Sequence, residues 1–197
     1  DDGANWTYTS TGIPTNAILF SLWAEGNVML AGAWEGIFRS TDQGASWSQV
    51  NGAPPYATAF VDHGGAVWAA FAGQGVARST DRGATWTSIN GGLTGNERSV
   101  NTLLSLGGAL YMGSHGEGVH RLQGETWVPA GLDDHFVSKL CEVPGLIVAA
   151  TALDDYLYWS DNDGAEWHSL LEGYHGDEPY ELAALGHDLW VGTRGHG

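Results

Sequence analysis

Over 197 residues the chain sets 7 Lys and Arg against 23 Asp and Glu, a formal net charge of -16, and holds 30 glycines, 10 tryptophans and 1 cysteine. That charge repels nucleic acid and anionic membranes, a lone cysteine closes no internal disulfide and no cysteine-based zinc site, and no apolar run nears the roughly 18 residues of a membrane span. What is left is one glycine-rich, tryptophan-rich all-β domain with a sizeable core, whose acidic field favours metal ions, basic proteins or neutral ligands read by carboxylates, with no nucleic acid and no membrane insertion expected.

In chain order, DDGANWTYTS (1–10) reads as an outer, fourth strand lacking its first three. NAILFSLW (16–23) is a largely apolar first strand, expected to be buried on both faces. VMLAGA (28–33) and GIFRS (36–40) follow after short turns, and SWSQV (46–50) alternates as an outer strand does. The same grammar returns with first strands at 57–62, 101–106, 138–143 and 181–185. Second strands follow at 66–71, 109–114, 146–151 and 189–193, and third strands at 75–79, 118–122 and 156–160. Trp6, Trp47, Trp86, Trp127 and Trp167 mark the period, with gaps of 41, 39, 41 and 40 residues.

Four short antiparallel strands per period predict a five-bladed β-propeller. The blades run approximately over 16–56, 57–99, 100–136, 137–180, and 181–197 together with 1–15, so that N- and C-terminal strands close the last blade. Aligning GTRGHG with GAWEG leaves about five residues unaccounted for between Gly197 and Asp1, the length of a third strand. Trimmed ends, a longer propeller or a strand borrowed from a neighbour would each explain that gap. The expected state is a monomer, or an oligomer if the strand is borrowed.

Each period ends on a shared phrase: STDQGASW (40–47), STDRGATW (79–86) and SDNDGAEW (160–167), with reduced forms in QGETW (123–127) and DDGANW (1–6). Ser40, Asp42, Gly44 and Trp47, Ser79, Asp81, Gly83 and Trp86, and Ser160, Asn162, Gly164 and Trp167 fill its fixed positions. This phrase resembles the Asp-box, or BNR repeat, of sialidase-like propellers, and the resemblance covers essentially the whole chain. Its residues suit a structural turn: Asp and Ser satisfy turn backbone groups, Gly permits positive φ, and Trp plugs the gap between blades. The family includes sialidases, xyloglucan-cleaving hydrolases, sortilin-type receptors and photosystem-assembly factors, and the resemblance favours an extracellular or periplasmic location. The sialidase residues are missing. No Arg-Ile-Pro motif precedes the first blade, and Arg39, Arg78 and Arg121 fall beside the boxes, leaving only Arg98 and Arg194 in loops of the other face.

The resemblance implies a ligand on the face opposite the Asp-box turns, where the loops differ most between periods. Trp34, Glu35, His115, Glu117, Asp154, Asp155, Asp177, Tyr180 and Arg194 are the expected binding residues. Aromatic faces stack on sugar rings, while carboxylates accept hydroxyl hydrogen bonds or steer a basic protein. The leading expectation is a non-enzymatic binding module, lectin-like or protein-binding. The alternative is an inverting glycoside hydrolase using a carboxylate pair roughly 6.5–9.5 Å apart, drawn from Asp133, Asp134, Asp154, Asp155 and Asp177. A second alternative is a self-assembling structural subunit. No cofactor is required; a divalent cation is a candidate ligand, with His135, His175 and Asp177 its weakly indicated holders.

Overall fold

The structure, a computed structural model, describes residues 4–5, 7–152, 157–170 and 179–193. Blade one is β1 (Leu19–Glu25), β2 (Val28–Ala33), β3 (Gly36–Ser40) and β4 (Ser48–Gln49). Blade two is β5 (Ala57–His63), β6 (Ala66–Phe71), β7 (Gly75–Ser79) and β8 (Thr87–Ser88). A short 3-10 turn at Gly95–Arg98 leads into β9 (Val100–Leu106), β10 (Ala109–Ser114), β11 (Val119–Gln123) and β12 (Thr126–Pro129) of blade three. Blade four holds β13 (Phe136–Val143), β14 (Leu146–Ala152), β15 (Leu157–Ser160) and β16 (His168–Ser169), and blade five β17 (Pro179–Leu185) and β18 (Asp188–Thr193). Each blade is an antiparallel meander, four of four strands and the last of two. This is an all-β, five-bladed β-propeller.

The core lies between blades. In each interface a second-strand residue faces a first-strand residue of the next blade: Leu30 and Phe60, Trp68 and Leu103, Tyr111 and Leu140, Val148 and Leu182. The second strands β2, β6, β10 and β14 are therefore the ones buried on both faces, and all six residues of β6 are buried. The first strand of blade one departs from the expectation of two buried faces, since Leu19, Phe20 and Leu22 are exposed. Apolar composition alone does not tell a strand between two blades from one with a single neighbour. Residues 7–15, assigned from sequence to the outer edge of blade five, run against the flank of blade one. The Trp47 N–H donates to Thr11 O (2.8 Å), as the Trp127 N–H donates to Gly91 O (2.7 Å). Ile13 covers Ala31, Phe38 and Trp47 there, and Trp6 lies outside the described residues.

The repeated turn is built by its polar residues. Ser40 Oγ donates to Asp42 Oδ1 (2.7 Å) and accepts the Gly44 N–H (2.9 Å), and Asp42 takes the Ser46 N–H and hydroxyl. Trp47 Nε1 donates back to Gly44 O at 3.0 Å. Ser79, Asp81, Gly83, Thr85 and Trp86 repeat the pattern. In blade four Asn162 Oδ1 replaces the carboxylate oxygen, accepting from Ser160 Oγ and the Glu166 N–H, while Trp167 Nε1 reaches Ala130 O. The third-strand arginines tie each blade to the turn of the next: Arg39 Nε donates to Arg82 O, and Arg78 and Arg121 pair with Glu125 and Asp163.

These hydrogen bonds make two turns acid-sensitive. Donation from the Ser46 hydroxyl, then from Ser40 and the Ser46 N–H, holds Asp42 down at about 2, below its ordinary 3.8. At Asp81 burial is the largest single influence and acts the other way, but the Thr85 hydroxyl and N–H and Ser79 together outweigh it, leaving it also at about 2. A depressed folded value means the stabilisation is present above the unfolded value of 3.8 and is lost as pH falls toward 2. Denaturant midpoints taken from pH 5 downward should therefore fall in that window. The double variant Asp42→Asn, Asp81→Asn should flatten the fall, as Asn162 already does for blade four; an unchanged slope would refute the assignment.

Candidate functional site

The face opposite the repeated turns is where the first strands begin. There the five blades share one irregularity. The ladders between first and second strands shift register at Leu19/Ser21, Ala57/Ala59, Val137/Lys139 and Pro179/Glu181, and likewise between Val100 and Thr102 in blade three. A bulge leaves one residue unpaired and re-aims its side chain. The unpaired residues are Phe20, Thr58, Asn101, Ser138 and Tyr180, and all five line a single open cavity of about 320 Å³ at the centre of the blades.

The cavity wall is aromatic and neutral-polar. Thr58 Oγ1 donates to Val100 O (2.7 Å) and Asn101 Nδ2 to Val137 O (3.0 Å), each reaching the first strand of the next blade. Ser138 Oγ donates to Ala150 O within its own blade. Because a backbone carbonyl can only accept, the Asn101 amide nitrogen must face Val137, and its oxygen accepts no hydrogen bond from the described residues. Phe136 and Pro179 add apolar wall, and the rim carries one ion pair, Lys139 Nζ to Glu181 Oε2 at 2.8 Å. Lys139 is the only lysine in the chain.

Of the residues singled out from sequence, Tyr180 lies in this cavity. Trp34 and Glu35 are exposed on the turn after β2; Trp34 rests on Tyr56 with ring centroids 4.8 Å apart. His115 meets the edge of Phe136 at 4.2 Å, and Glu117 is half-buried. His115 therefore touches the cavity wall from outside, and neither it nor Glu117 is among the lining residues. Asp133 and Asp134 are exposed on the loop into β13. His135 Nδ1 lies 3.0 Å from the Asp133 carbonyl, so it carries the proton, and Nε2 lies 3.2 Å from the Tyr158 hydroxyl. Asp154, Asp155, His175, Asp177 and Arg194 lie outside the described residues. Among the described residues no three His, Cys, Asp or Glu side chains converge on a metal-holding position.

Two further titratable groups sit in walls rather than in the site. His120 is buried beneath the 3-10 turn, 3.7 Å from Glu97, and burial holds it below the usual imidazole value despite that carboxylate. Cys141 is half-buried between blades four and five, where burial and then Glu142 and Glu181 push its thiol up, the opposite of nucleophile activation.

Reasoning from loops missed Phe20, Thr58, Asn101, Ser138, Lys139 and Glu181. They lie inside strands, and the signal available was a column of dissimilar residues (Phe, Thr, Asn, Ser, Tyr) in otherwise similar first strands.

No protein-family model matches the chain, and no curated protein matches it. Solved structures do. The extracellular domain of the one-component system BT4673 from B. thetaiotaomicron aligns with a TM-score of 0.76 at 18% identity, over 95% of this chain and 26% of that one. YCF48 bound to D1 peptide aligns at 0.69 and 19% identity, over 97% and 66%. The GH74 xyloglucanase of Xanthomonas campestris aligns at 0.60 and 20% identity, over 85% and 27%. The chain thus spans about a quarter of the length of the first and third of these, and identities this low establish the fold alone. The class is that of the β-propellers. Among the described residues no helix is long and apolar enough to cross a membrane.

Proposed function

We propose that this propeller is a non-enzymatic binding module, working outside the cytoplasm, that holds a short polypeptide segment at the mouth of its central cavity. The observation that carries this reading is the register shift repeated in five blades, which sets Phe20, Thr58, Asn101, Ser138 and Tyr180 around one cavity. Such a wall supplies aromatic area, neutral hydrogen-bonding groups and, in Lys139 and Glu181, one anchor of each sign. Those are the needs of a peptide, which brings apolar side chains, amides and both charges. YCF48, of the same fold, is seen with a peptide bound, which supports the reading without fixing the ligand here. A net charge of -16 steers toward basic partners.

The test is selection from a displayed random-peptide library, then titration of the selected peptide. Tyr180, 67% exposed, supports no core, so Tyr180→Ala should leave folding intact. It should weaken binding by roughly 30-fold, the equivalent of about 2 kcal/mol for an aromatic anchor. Binding unmoved by Tyr180→Ala and Asn101→Ala would sink the proposal.

A glycoside-hydrolase reading draws on the GH74 neighbours and on the carboxylates Asp133, Asp134, Asp154, Asp155 and Asp177. Its signature is distinct: sugar released from a polysaccharide, abolished by Asp→Asn changes at those positions while binding survives. A lectin reading would show glycan binding with no release. A divalent cation, if one takes part, would show as binding lost in EDTA and restored by the metal.

A further inference from the structure

His120, 2% exposed, is a buried imidazole with an unused ring nitrogen. On β11 it stands between Met112 of β10 and Pro129 of β12, beneath the 3-10 turn Gly95–Arg98. Its Nε2 lies 3.7 Å from Glu97 Oε1, while Nδ1 is buried with no hydrogen-bond partner among the described residues. A bare Nε2 would set its lone pair against the carboxylate, so the ring proton sits on Nε2 and Nδ1 is an idle acceptor.

Three carboxylates face the ring: Glu97 from the turn, Glu117 from the loop between β10 and β11, and Asp133 from the loop between β12 and β13. Met112 and Pro129, its ladder neighbours, bring no charge, and Arg98 on the same turn donates from Nε to Leu93 O (3.3 Å). Burial outweighs the carboxylates and keeps the ring neutral until the pH is below the ordinary imidazole value of 6.5. Glu97 has a second duty. Its Oε2 accepts the N–H and the hydroxyl of Thr94, capping the turn. Otherwise the turn is closed by the Glu97 N–H to Thr94 O (3.1 Å) and the Ser99 N–H to Asn96 O (2.8 Å), and none of its four residues is buried.

A second proton on His120 would place an N–H where no acceptor stands, and a charge inside the blade. Strands β10 and β12 are fixed by their ladders, so the turn is the element that yields. Its movement brings relief in two ways: Glu97 closes onto the Nε2–H, and water reaches Nδ1. Both take Glu97 off Thr94.

We infer that Thr94–Ser99 is an acid-released latch, closed over His120 while the imidazole is neutral and freed when a second proton draws Glu97 away from Thr94. Ser99 O accepts the His115 N–H (2.9 Å), and two residues further on Asn101 lines the cavity, so release begins beside the cavity wall. The latch does not depend on what the cavity holds.

The experiment is amide hydrogen exchange on the intact chain, followed by NMR from about pH 7.5 to about pH 4, each rate divided by the unprotected rate at the same pH. Protection at Glu97, Ser99 and His115 should fall by roughly 10-fold, while the amides of β6 keep theirs. The midpoint should lie below 6.5 and coincide with the titration of the His120 Cε1 resonance. His120→Gln, which takes no proton, should stay protected throughout. Glu97→Gln keeps an oxygen for Thr94 but removes the counter-charge, so its midpoint should move to lower pH. The shared midpoint of turn and ring in the unaltered protein decides the matter even where His120→Gln does not fold. Protection that persists to pH 4, a midpoint apart from that of His120, or one that Glu97→Gln leaves in place overturns the inference.

Discussion

Replacing Trp127 with alanine is expected to cost about 3–5 kcal/mol of folding stability, while the same change at Trp190 should cost the monomer less than about 0.5 kcal/mol. Trp127 is 2% exposed and fills the interface of blades two and three with Trp68, Leu103 and Leu110. Its Nε1 donates to Ile89 O at 2.8 Å, so truncation also strands a buried carbonyl beside the cavity it opens. Trp190, 63% exposed, belongs to no core cluster among the described residues. Urea unfolding of both variants settles the point; near-equal costs would mean that the blades are not held by these interfaces.

The second large effect is expected at Gly92, on the segment leaving β8. Its φ is +85°, and a Cβ placed there would stand 2.3 Å from the carbonyl oxygen of Trp127. Alanine therefore meets two penalties: about 1–2 kcal/mol for the left-handed backbone, and about 1–3 kcal/mol for crowding a strand that cannot retreat without opening the interface. Gly64 is the control, with φ +58° and nothing within 4 Å of the added carbon. Gly64→Ala should show the backbone penalty alone, so the difference between the two midpoints isolates the close approach. If the pair are equally destabilised, the approach of the Gly92 segment to Trp127 is not a tight one.

Much of the fold could be read from residue order because the decisive signals were local. The second strands at 28–33, 66–71 and 109–114 coincide with β2, β6 and β10. Runs such as VMLAGA and AVWAAF sit between glycine turns and contain small residues that let blades approach. What residue order did not disclose depends on neighbours. Whether LFSLW is buried is decided by the presence of a blade beside it, not by its composition. The bulges are likewise invisible, since one unpaired residue in β13 is a property of its ladder with β14, not of the letters FVSKLCEV. That is why Phe20, Thr58, Asn101 and Ser138 went unseen, while Tyr180, the fifth bulge residue, was noticed only because it follows a divergent loop. The fixed box positions, by contrast, announce their own hydrogen bonds: Ser at the first, Asp or Asn at the third and Gly at the fifth position suffice to draw the turn.

Lys139 also carries a practical consequence. As the only lysine in the chain it bears the single side-chain primary amine, and that amine stands at the rim of the central cavity, 2.8 Å from Glu181. An amine-selective acylating dye would thus find one side-chain target, already at the position where an arriving ligand would change its surroundings. The protein comes with its own attachment point for a fluorescent reporter.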